Sequence, residues 1–403
     1  MNALLQARRL GAMLLLIGVV LEPSGLAAEA AATAVARAAE HVRLGAASVQ
    51  ARDYVAAERE YREALRLDPS SAAIHDALGF LLALQNRFAE AEAEFIKALQ
   101  LDPDHVPALY KLGKIYLIGQ QPDKAAAAYQ RVIDLDPNYY PAHHGLGLVQ
   151  AMQGRPEDAI EHFRTAVVLY PDFGAARYRL GLLYLERMKI VPAIEQLQAA
   201  SLLLGNEPPV HYALGNALWA AGRLSEAESA FETAIRLDPK RADVLDRLGL
   251  LHIEQSHALL GAAMADQDRI LAAIDAHSRA VAHAPDNGLF RHNLGMAYER
   301  QRDFEQAATQ YHAALETDST LAYTHYRLGL IWARARDYVG AKEQYLAAIR
   351  HEPDNSHFHC ALGAAHASTD DLEVALTSFE EAIRLDDYNT EAHYGLASAY
   401  MRL

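Results

Sequence analysis

The sequence contains a single cysteine, Cys360, among 403 residues. One cysteine cannot form a disulfide within the chain, so packing alone must stabilise the fold. Lys and Arg number 37 against 52 Asp and Glu, which gives a net charge of −15, and no block of basic residues stands out. A surface for nucleic acid or for anionic lipid is therefore not expected.

Catalytic motifs are also missing. There is no glycine-rich phosphate loop after a strand, no serine elbow and no His-Glu-x-x-His. The chain shows no strand-like alternation of apolar and polar residues, and it is rich in Ala, Leu, Glu, Arg and Gln. This composition predicts an all-α fold. We expect no enzymatic activity, no cofactor and no bound metal.

One long apolar run occurs, at the N-terminus. Arg8 and Arg9 precede Leu10–Leu21, and Pro23 and several alanines follow. This order is typical of a secretory signal peptide, predicted here over residues 1–30. The run is shorter than the roughly 20 residues that span a bilayer, and an uncleaved N-terminal anchor is the alternative. Either way we expect a periplasmic or secreted protein, which contacts a membrane through this segment if at all.

A helix terminator recurs every thirty-four residues, at Asp68-Pro69, Asp102-Pro103 and Asp136-Pro137. Proline ends helices because it lacks an N–H and restricts the residue before it. Leu-Gly pairs keep the same phase, at 44–45, 78–79, 112–113, 146–147, 180–181, 214–215, 248–249, 294–295, 328–329 and 362–363. An Ala usually follows the Gly by twelve residues, and an aromatic usually follows by sixteen, as at Tyr61, Phe95, Tyr129, Phe163, Phe231, Tyr311, Tyr345 and Phe379. The chain is therefore built from copies of one helical hairpin, which must stack to bury its apolar faces.

This pattern resembles the tetratricopeptide repeat. Ten full units cover residues 38–389, after a short linker at 31–37, and residues 390–403 form a capping half-repeat. The resemblance implies a right-handed α-solenoid of antiparallel helix pairs, with the first helix of each pair, helix A, lining a concave groove. Its second helix, helix B, carries the aromatic residue.

Repeat seven carries twelve extra residues, at about 254–272. We expect a lengthened, solvated hairpin, because insertions in repeat proteins usually fall in loops. The alternative is a protruding contact point, since Leu259, Leu260 and Met264 are apolar where a turn should be polar.

In the family that the chain resembles, the fifth position of helix A is among those that point into the groove. It holds Asp76, Tyr110, His144, Tyr178, Tyr212, Asp246, His292, Tyr326, Cys360 and Tyr394. From this and the neighbouring groove positions we predict a mostly apolar partner-binding strip of Phe80, Leu84, Tyr110, Leu117, Tyr178, Leu182, Tyr212, Trp219, Met296 and Tyr326. Tyr and Trp are residues that anchor interfaces, so the tyrosines and Trp219 are the expected anchors.

Nineteen histidines raise the question of a metal site. Many occupy one position of helix A, where we expect half-buried rings too far apart to share an ion, at 41, 75, 143, 211, 325, 359 and 393. His357 and Cys360, with His366 further along, are the alternative site for a soft metal. Cys360 is a poor candidate nucleophile because His359, next to it in sequence, points elsewhere on a helix.

The sequence thus predicts a non-catalytic, extracytoplasmic scaffold that binds an extended segment or a helix of a partner protein. Family analogy suggests a role in assembling cell-envelope complexes. The alternative is a non-catalytic accessory subunit of an enzyme whose catalytic chain is separate. The paired Lys and Asn with which some members of the family grip C-terminal carboxylates are missing, because their places hold Asp76, Phe80, Tyr110 and Lys114.

Overall fold

The computed structural model describes residues 25–258 and 263–403, and every regular element in these ranges is an α-helix. Odd-numbered helices are the A helices of repeats one to ten and even-numbered helices are the B helices, with α21 as the cap. The bounds are α1 Gly25–Gln50, α2 Tyr54–Leu67, α3 Ala72–Leu84, α4 Phe88–Leu101, α5 Val106–Ile118, α6 Pro122–Leu135, α7 Tyr140–Met152, α8 Pro156–Leu169, α9 Gly174–Glu186, α10 Ile190–Leu203 and α11 Pro208–Ala220. They continue with α12 Leu224–Leu237, α13 Ala242–Ala258, α14 Ala263–His283, α15 Gly288–Gln301, α16 Phe304–Thr317, α17 Ala322–Arg334, α18 Tyr338–His351, α19 Ser356–Ser368, α20 Leu372–Leu385 and α21 Thr390–Arg402. The predicted all-α fold of paired helices is confirmed.

The beginning of the chain differs from the prediction. Helix α1 begins at Gly25 and runs without a break through residues 31–37, where we expected a linker. No Pro or Gly occurs between Leu26 and Leu44, and the alanines that fill this stretch favour helix. The predicted signal peptide falls mostly on residues 1–24, which lie outside the described residues. Within the described part of the chain, every helix is too short or too polar to cross a membrane.

The chain divides into two compact units, one ending at Leu180 and the other running from Gly181 to Leu403. Inside the first unit, each B-helix aromatic ring packs on the glycine of its own repeat. A Cβ atom added to Gly79 would lie 2.8 Å from Cε1 of Phe95, a ring that is fully buried. Glycine is required there because the ring occupies the space that a side chain would need.

The second unit repeats this packing with two exceptions. Phe231, Tyr311, Tyr345 and Phe379 lie against Gly215, Gly295, Gly329 and Gly363. In repeat five the ring is replaced by Leu197, which contacts Gly181, and in repeat seven it is replaced by His277, which contacts Gly249. These are the two repeats whose sequences lack the aromatic residue.

Short turns join helix A to helix B. One residue of most of these turns has positive φ, and at Asn86, Gln120 and Arg302 that residue is not glycine. In some repeats an aspartate follows the turn and caps the N-terminus of helix B. Asp53, for example, accepts a hydrogen bond from the amide of Ala56 at 3.0 Å.

The insertion in repeat seven lengthens both helices of the pair, whereas we expected the extra residues in a solvated hairpin loop. Helix α13 has 17 residues and α14 has 21, against 13 and 14 in the preceding pair. Glu228 of α12 holds the base of the extension, because it accepts hydrogen bonds from Gln255 at 3.0 Å and from Arg269 at 2.6 Å. Leu259, Leu260 and the side chain of Met264 lie outside the described residues, so the suggested contact point stays a prediction.

Candidate partner-binding face

The ten residues predicted to bind a partner all lie on A helices and keep some accessible surface. Phe80 and Leu84 are exposed, and the other eight are half-buried. In the first unit they come from α3, α5 and the beginning of α9, and in the second unit from the end of α9 and from α11, α15 and α17. We call the surface that they form within each unit the A face.

The half-buried tyrosines Tyr110 and Tyr326 contact aromatic rings of their own repeat and of the residues that follow it. In the first unit, Tyr110 contacts the ring of Tyr129 at 5.9 Å and that of Tyr139 at 5.4 Å. Burial raises the pKa of its hydroxyl. In the second unit, Tyr326 contacts Tyr345 at 6.1 Å and Phe358 at 5.1 Å. The fifth position of helix A therefore lies between its own B helix and the next A helix.

This placement corrects part of the prediction, because four fifth-position residues are buried instead of facing a groove: Asp76, Asp246, His292 and Cys360. Asp76 binds Lys111 at 2.6 Å, and Nδ1 of His292 lies 2.8 Å from the hydroxyl of Thr324. The sequence pattern gave the position of these residues on the helix correctly. It did not show that the following repeat covers the fifth position.

The A face is also less apolar than predicted, because cations from the chain itself lie over its aromatic rings. In the first unit, Nζ of Lys111 is 5.4 Å from the centre of Phe80, Nζ of Lys114 is 5.9 Å from Tyr110, and the guanidinium of Arg179 is 5.8 Å from Tyr178. In the second unit, Arg241 is 5.5 Å from Tyr212 and Arg247 is 5.9 Å from Trp219. Such contacts are attractive because the ring face carries partial negative charge.

A sequence signal exists for three of these cations, Lys111, Arg179 and Arg247. The sixth position of helix A holds Arg or Lys in every odd repeat, at Arg43, Lys111, Arg179, Arg247 and Arg327. In the even repeats it holds Ala, Gly or Asn. A two-repeat period of this kind shows only when the repeats are compared in pairs.

Repeat seven has a buried polar cluster that was not predicted from the sequence. Nδ1 of His277 lies 2.9 Å from Oδ1 of Asp246, and the amide of Asn293 donates to both oxygens of the same carboxylate at 3.0 and 3.1 Å. The exposed fractions of the three residues are 0%, 6% and 5%. Within the described residues, Nε2 of His277 has no partner. The spacing alone could have identified His277, because it stands where other repeats carry Tyr or Phe.

The recurrent histidines have a structural task. In six of them Nε2 lies within hydrogen-bonding distance of a backbone carbonyl six residues earlier, at His75, His143, His211, His325, His359 and His393. Since a carbonyl can only accept, Nε2 must be the donor. These rings therefore connect five A helices and the capping helix to the turns that precede them.

The alternative metal site at His357 and Cys360 gains no third ligand. No group of three or more His, Cys, Asp or Glu side chains in the described part of the chain is placed to bind an ion. Burial, assisted by the charge of Glu391, raises the pKa of Cys360 to about 11. At neutral pH Cys360 is therefore a thiol, which is a poor nucleophile and a poor metal ligand.

Comparison with known protein families finds repeats that coincide with the helix pairs. One model of the tetratricopeptide repeat matches residues 42–105, 77–140, 292–356 and 326–390, and a second matches residues 140–173 and 208–241. Together these matches cover more than half of the chain. The chain belongs to the tetratricopeptide repeat family. The stretches between the matches, 174–207 and 242–291, hold the tetratricopeptide repeats five and seven, whose B helices lack the aromatic ring.

No curated protein matches the chain. Among solved structures, PilF of Pseudomonas aeruginosa is 22% identical over 51% of this chain and 94% of its own, with a TM-score of 0.49. YrrB, described as a tetratricopeptide repeat protein with an unusual peptide-binding site, is 20% identical over 46% of this chain and 95% of its own, with a TM-score of 0.40. A tetratricopeptide repeat protein from Parabacteroides merdae is 16% identical over 65% of this chain and 98% of its own, with a TM-score of 0.44. At these identities and TM-scores, the roles of those proteins do not transfer to this one.

Proposed function

We propose that this tetratricopeptide repeat protein is a non-catalytic, extracytoplasmic scaffold whose A face binds an extended segment or a helix of a partner protein. Proteins of this family mediate protein–protein interactions. The observation that carries the proposal is that all ten predicted residues keep accessible surface. Phe80 is 42% exposed and Leu84 is 41% exposed. Large apolar side chains held at the surface by a rigid scaffold mark interaction sites.

The aromatic–cation pairs refine what such a partner must offer. Lys114, Arg179 and Arg247 are exposed and lie over A-face rings. A partner that covers these rings must also pair or displace the cations. This requirement favours a segment with apolar side chains next to carboxylates in the regions of α5, α9 and α13.

The location outside the cytoplasm rests on the N-terminal residues. The order of Arg8 and Arg9, the apolar run Leu10–Leu21 and the alanines that follow supports export and cleavage near residue 30. Mass spectrometry of the mature protein tests this directly. We expect a mass that lacks about 30 residues, and an intact Met1 would contradict cleavage.

Affinity capture from the cell-envelope fraction tests partner binding. The triple variant Tyr178→Ala/Tyr212→Ala/Trp219→Ala should lose the partner that the wild type captures. Each interface anchor contributes on the order of 1–2 kcal/mol, so three losses should reduce binding by at least a hundred-fold.

A matched variant controls for apolar surface as such. Val168, Leu202 and Val339 are 77%, 87% and 65% exposed on B helices. The triple variant Val168→Ala/Leu202→Ala/Val339→Ala should therefore capture the partner as the wild type does. The proposal is wrong if the A-face variant keeps a normal circular dichroism spectrum and still captures every partner.

A further inference from the structure

A cavity of about 450 Å³ lies in the second unit, among helices α17 to α21. Its lining includes Tyr326, Tyr338, Cys360, and Glu391 and Tyr394 of the capping helix. Ligand cavities in proteins have volumes of roughly 300–1,000 Å³, so this one is large enough for a side chain of a partner. Tyr394 is 78% exposed, which leaves its ring available to a ligand.

At this end of the A face the cation next to Tyr326 in sequence, Arg327, pairs with Glu299 at 3.2 Å. Five of the six aromatic residues predicted to bind a partner have a Lys or Arg of the chain over the ring, and Tyr326 is the exception. The sixth positions of the two following A helices hold Ala361 and Gly395, where odd repeats hold Arg or Lys. Among the described residues, no Lys or Arg lines the cavity or lies over Tyr394.

The cavity is lined by a carboxylate, that of Glu391. Glu391 is exposed in the first turn of α21 and makes no hydrogen bond or ion pair within the described part of the chain. Its charge acts on the cavity, since after burial it contributes to the raised pKa of the Cys360 thiol. Burial also raises the pKa of the Tyr326 hydroxyl, where the charge of Glu391 opposes the larger, lowering effect of Arg327. A cation bound here would face tyrosine rings and a carboxylate together.

We propose that this cavity receives a basic side chain, lysine or arginine, from the protein segment that binds along the A face. The proposal rests on the proposed function and names one chemical requirement of the partner. The charged head would pair with Glu391 and lie over the rings of Tyr326 and Tyr394, as Lys and Arg of the chain do over the other rings. The methylene stem would pack on Leu330 and Ala361, which also line the cavity.

Two peptides that differ in one charge test this requirement. Acetyl-Ala-Leu-Arg-Leu-Ala-amide carries the basic group, and the same peptide with citrulline has nearly the same shape without the charge. Isothermal titration at low salt should show that the wild type binds the arginine peptide about ten-fold more tightly than the citrulline peptide. Glu391→Gln should abolish this preference.

Glu373→Gln is the matched control. Glu373 is exposed in the first turn of α20, so the substitution changes net charge and helix-end electrostatics in the same way but lies outside the cavity lining. The preference for arginine should persist in this variant. If the wild type binds the two peptides equally, or binds neither at millimolar concentration, the proposal is overturned. It is also overturned if Glu391→Gln keeps the preference.

The result of the peptide experiment can be distinguished from the result of the partner-capture experiment. Loss of the captured partner in the A-face triple variant, together with equal binding of the two peptides, would leave the scaffold function standing without this cavity. A preference that depends on Glu391, in a protein whose A-face variant keeps every partner, would leave the cavity standing without the wider face.

Discussion

Repeats six and seven build the same helix pair around different cores. In repeat six, Phe231 is fully buried against Gly215, and Tyr212 at the fifth position packs on it with ring centres 6.0 Å apart. In repeat seven, His277 takes the place of the phenylalanine and Asp246 that of the tyrosine. A Cβ atom on Gly249 would lie 2.6 Å from the histidine ring, so the close approach of the two helices is preserved.

The difference shows that the repeat specifies a shape rather than a polarity. A large side chain must cover the glycine, and a phenyl or phenol ring, an imidazole ring or, in repeat five, the side chain of Leu197 can do so if the neighbours match. The polar version requires more partners, since Asn293 of the next repeat also binds Asp246. Burying such groups is costly unless they pair with one another, so repeat seven depends on its neighbour more than repeat six does.

Loss of the ring in repeat six should have the largest effect on stability. Phe231→Ala removes a fully buried ring, and we expect it to lower the free energy of unfolding by about 3–5 kcal/mol. Urea unfolding followed by circular dichroism measures this change. Leu202→Ala on α10, at a side chain that is 87% exposed, should change it by less than about 0.5 kcal/mol. An equal loss in the two variants would contradict the assignment of Phe231 to the core.

Disruption of the polar cluster in repeat seven should come next. Asp246→Ala leaves Nδ1 of His277 and the amide of Asn293 buried without their acceptor, which should cost about 2–4 kcal/mol. The double variant Asp246→Tyr/His277→Phe rebuilds the pair of repeat six and should be the more stable of the two. The same unfolding experiment compares them. If the double variant is less stable than Asp246→Ala, the two cores are not interchangeable.

Repeat four combines a histidine at the fifth position with an aromatic B-helix ring, and its effect should appear as a dependence of stability on pH. His144 lies beside the rings of Phe163 and Phe173, and burial, with a contribution from Arg179, lowers its pKa to about 4. Above pH 6.5 the ring is neutral in the folded and unfolded states. Below pH 6.5 the unfolded state binds the proton before the folded state does. The free energy of unfolding should therefore fall by about 1.4 kcal/mol per pH unit until about pH 4.

Replacement of His144 isolates this contribution. His144→Phe removes the titrating group and keeps the ring, so stability should fall less steeply between pH 6.5 and pH 4.5 than in the wild type. His283→Gln, at an exposed histidine, should leave the slope unchanged. If His144→Phe has the slope of the wild type, the histidine does not resist protonation in the folded protein.

The regular parts of the fold could be predicted from the sequence because they depend on spacing. Leu-Gly pairs, B-helix aromatics and Asp-Pro stops each correspond to one contact or one helix end, as Gly79 and Phe95 show. The length of α13 and α14 could not be predicted in this way. Because insertions in repeat proteins usually fall in loops, the twelve extra residues were expected to form one. Their Ala, Leu and Gln residues nevertheless favour helix.

The A face was harder to predict because its character depends on contacts between repeats. The helix positions of Tyr110 and Asp76 follow from the thirty-four-residue period, but their burial depends on the side chain that the next repeat places over them. Lys111 covers Phe80 and pairs with Asp76, and both contacts cross from one repeat to another. Cysteine at position 360 gave no hint of the cavity beside it, which the capping helix completes.

Hydrogen–deuterium exchange of the protein with and without its captured partner tests the central claim most directly. We predict slower exchange at the ends and exposed amides of the A helices α5, α9, α11 and α17, and unchanged exchange in the B helices α8 and α10. Protection confined to B helices, or none on any A helix while the partner is bound, would contradict the claim that the A face binds the partner.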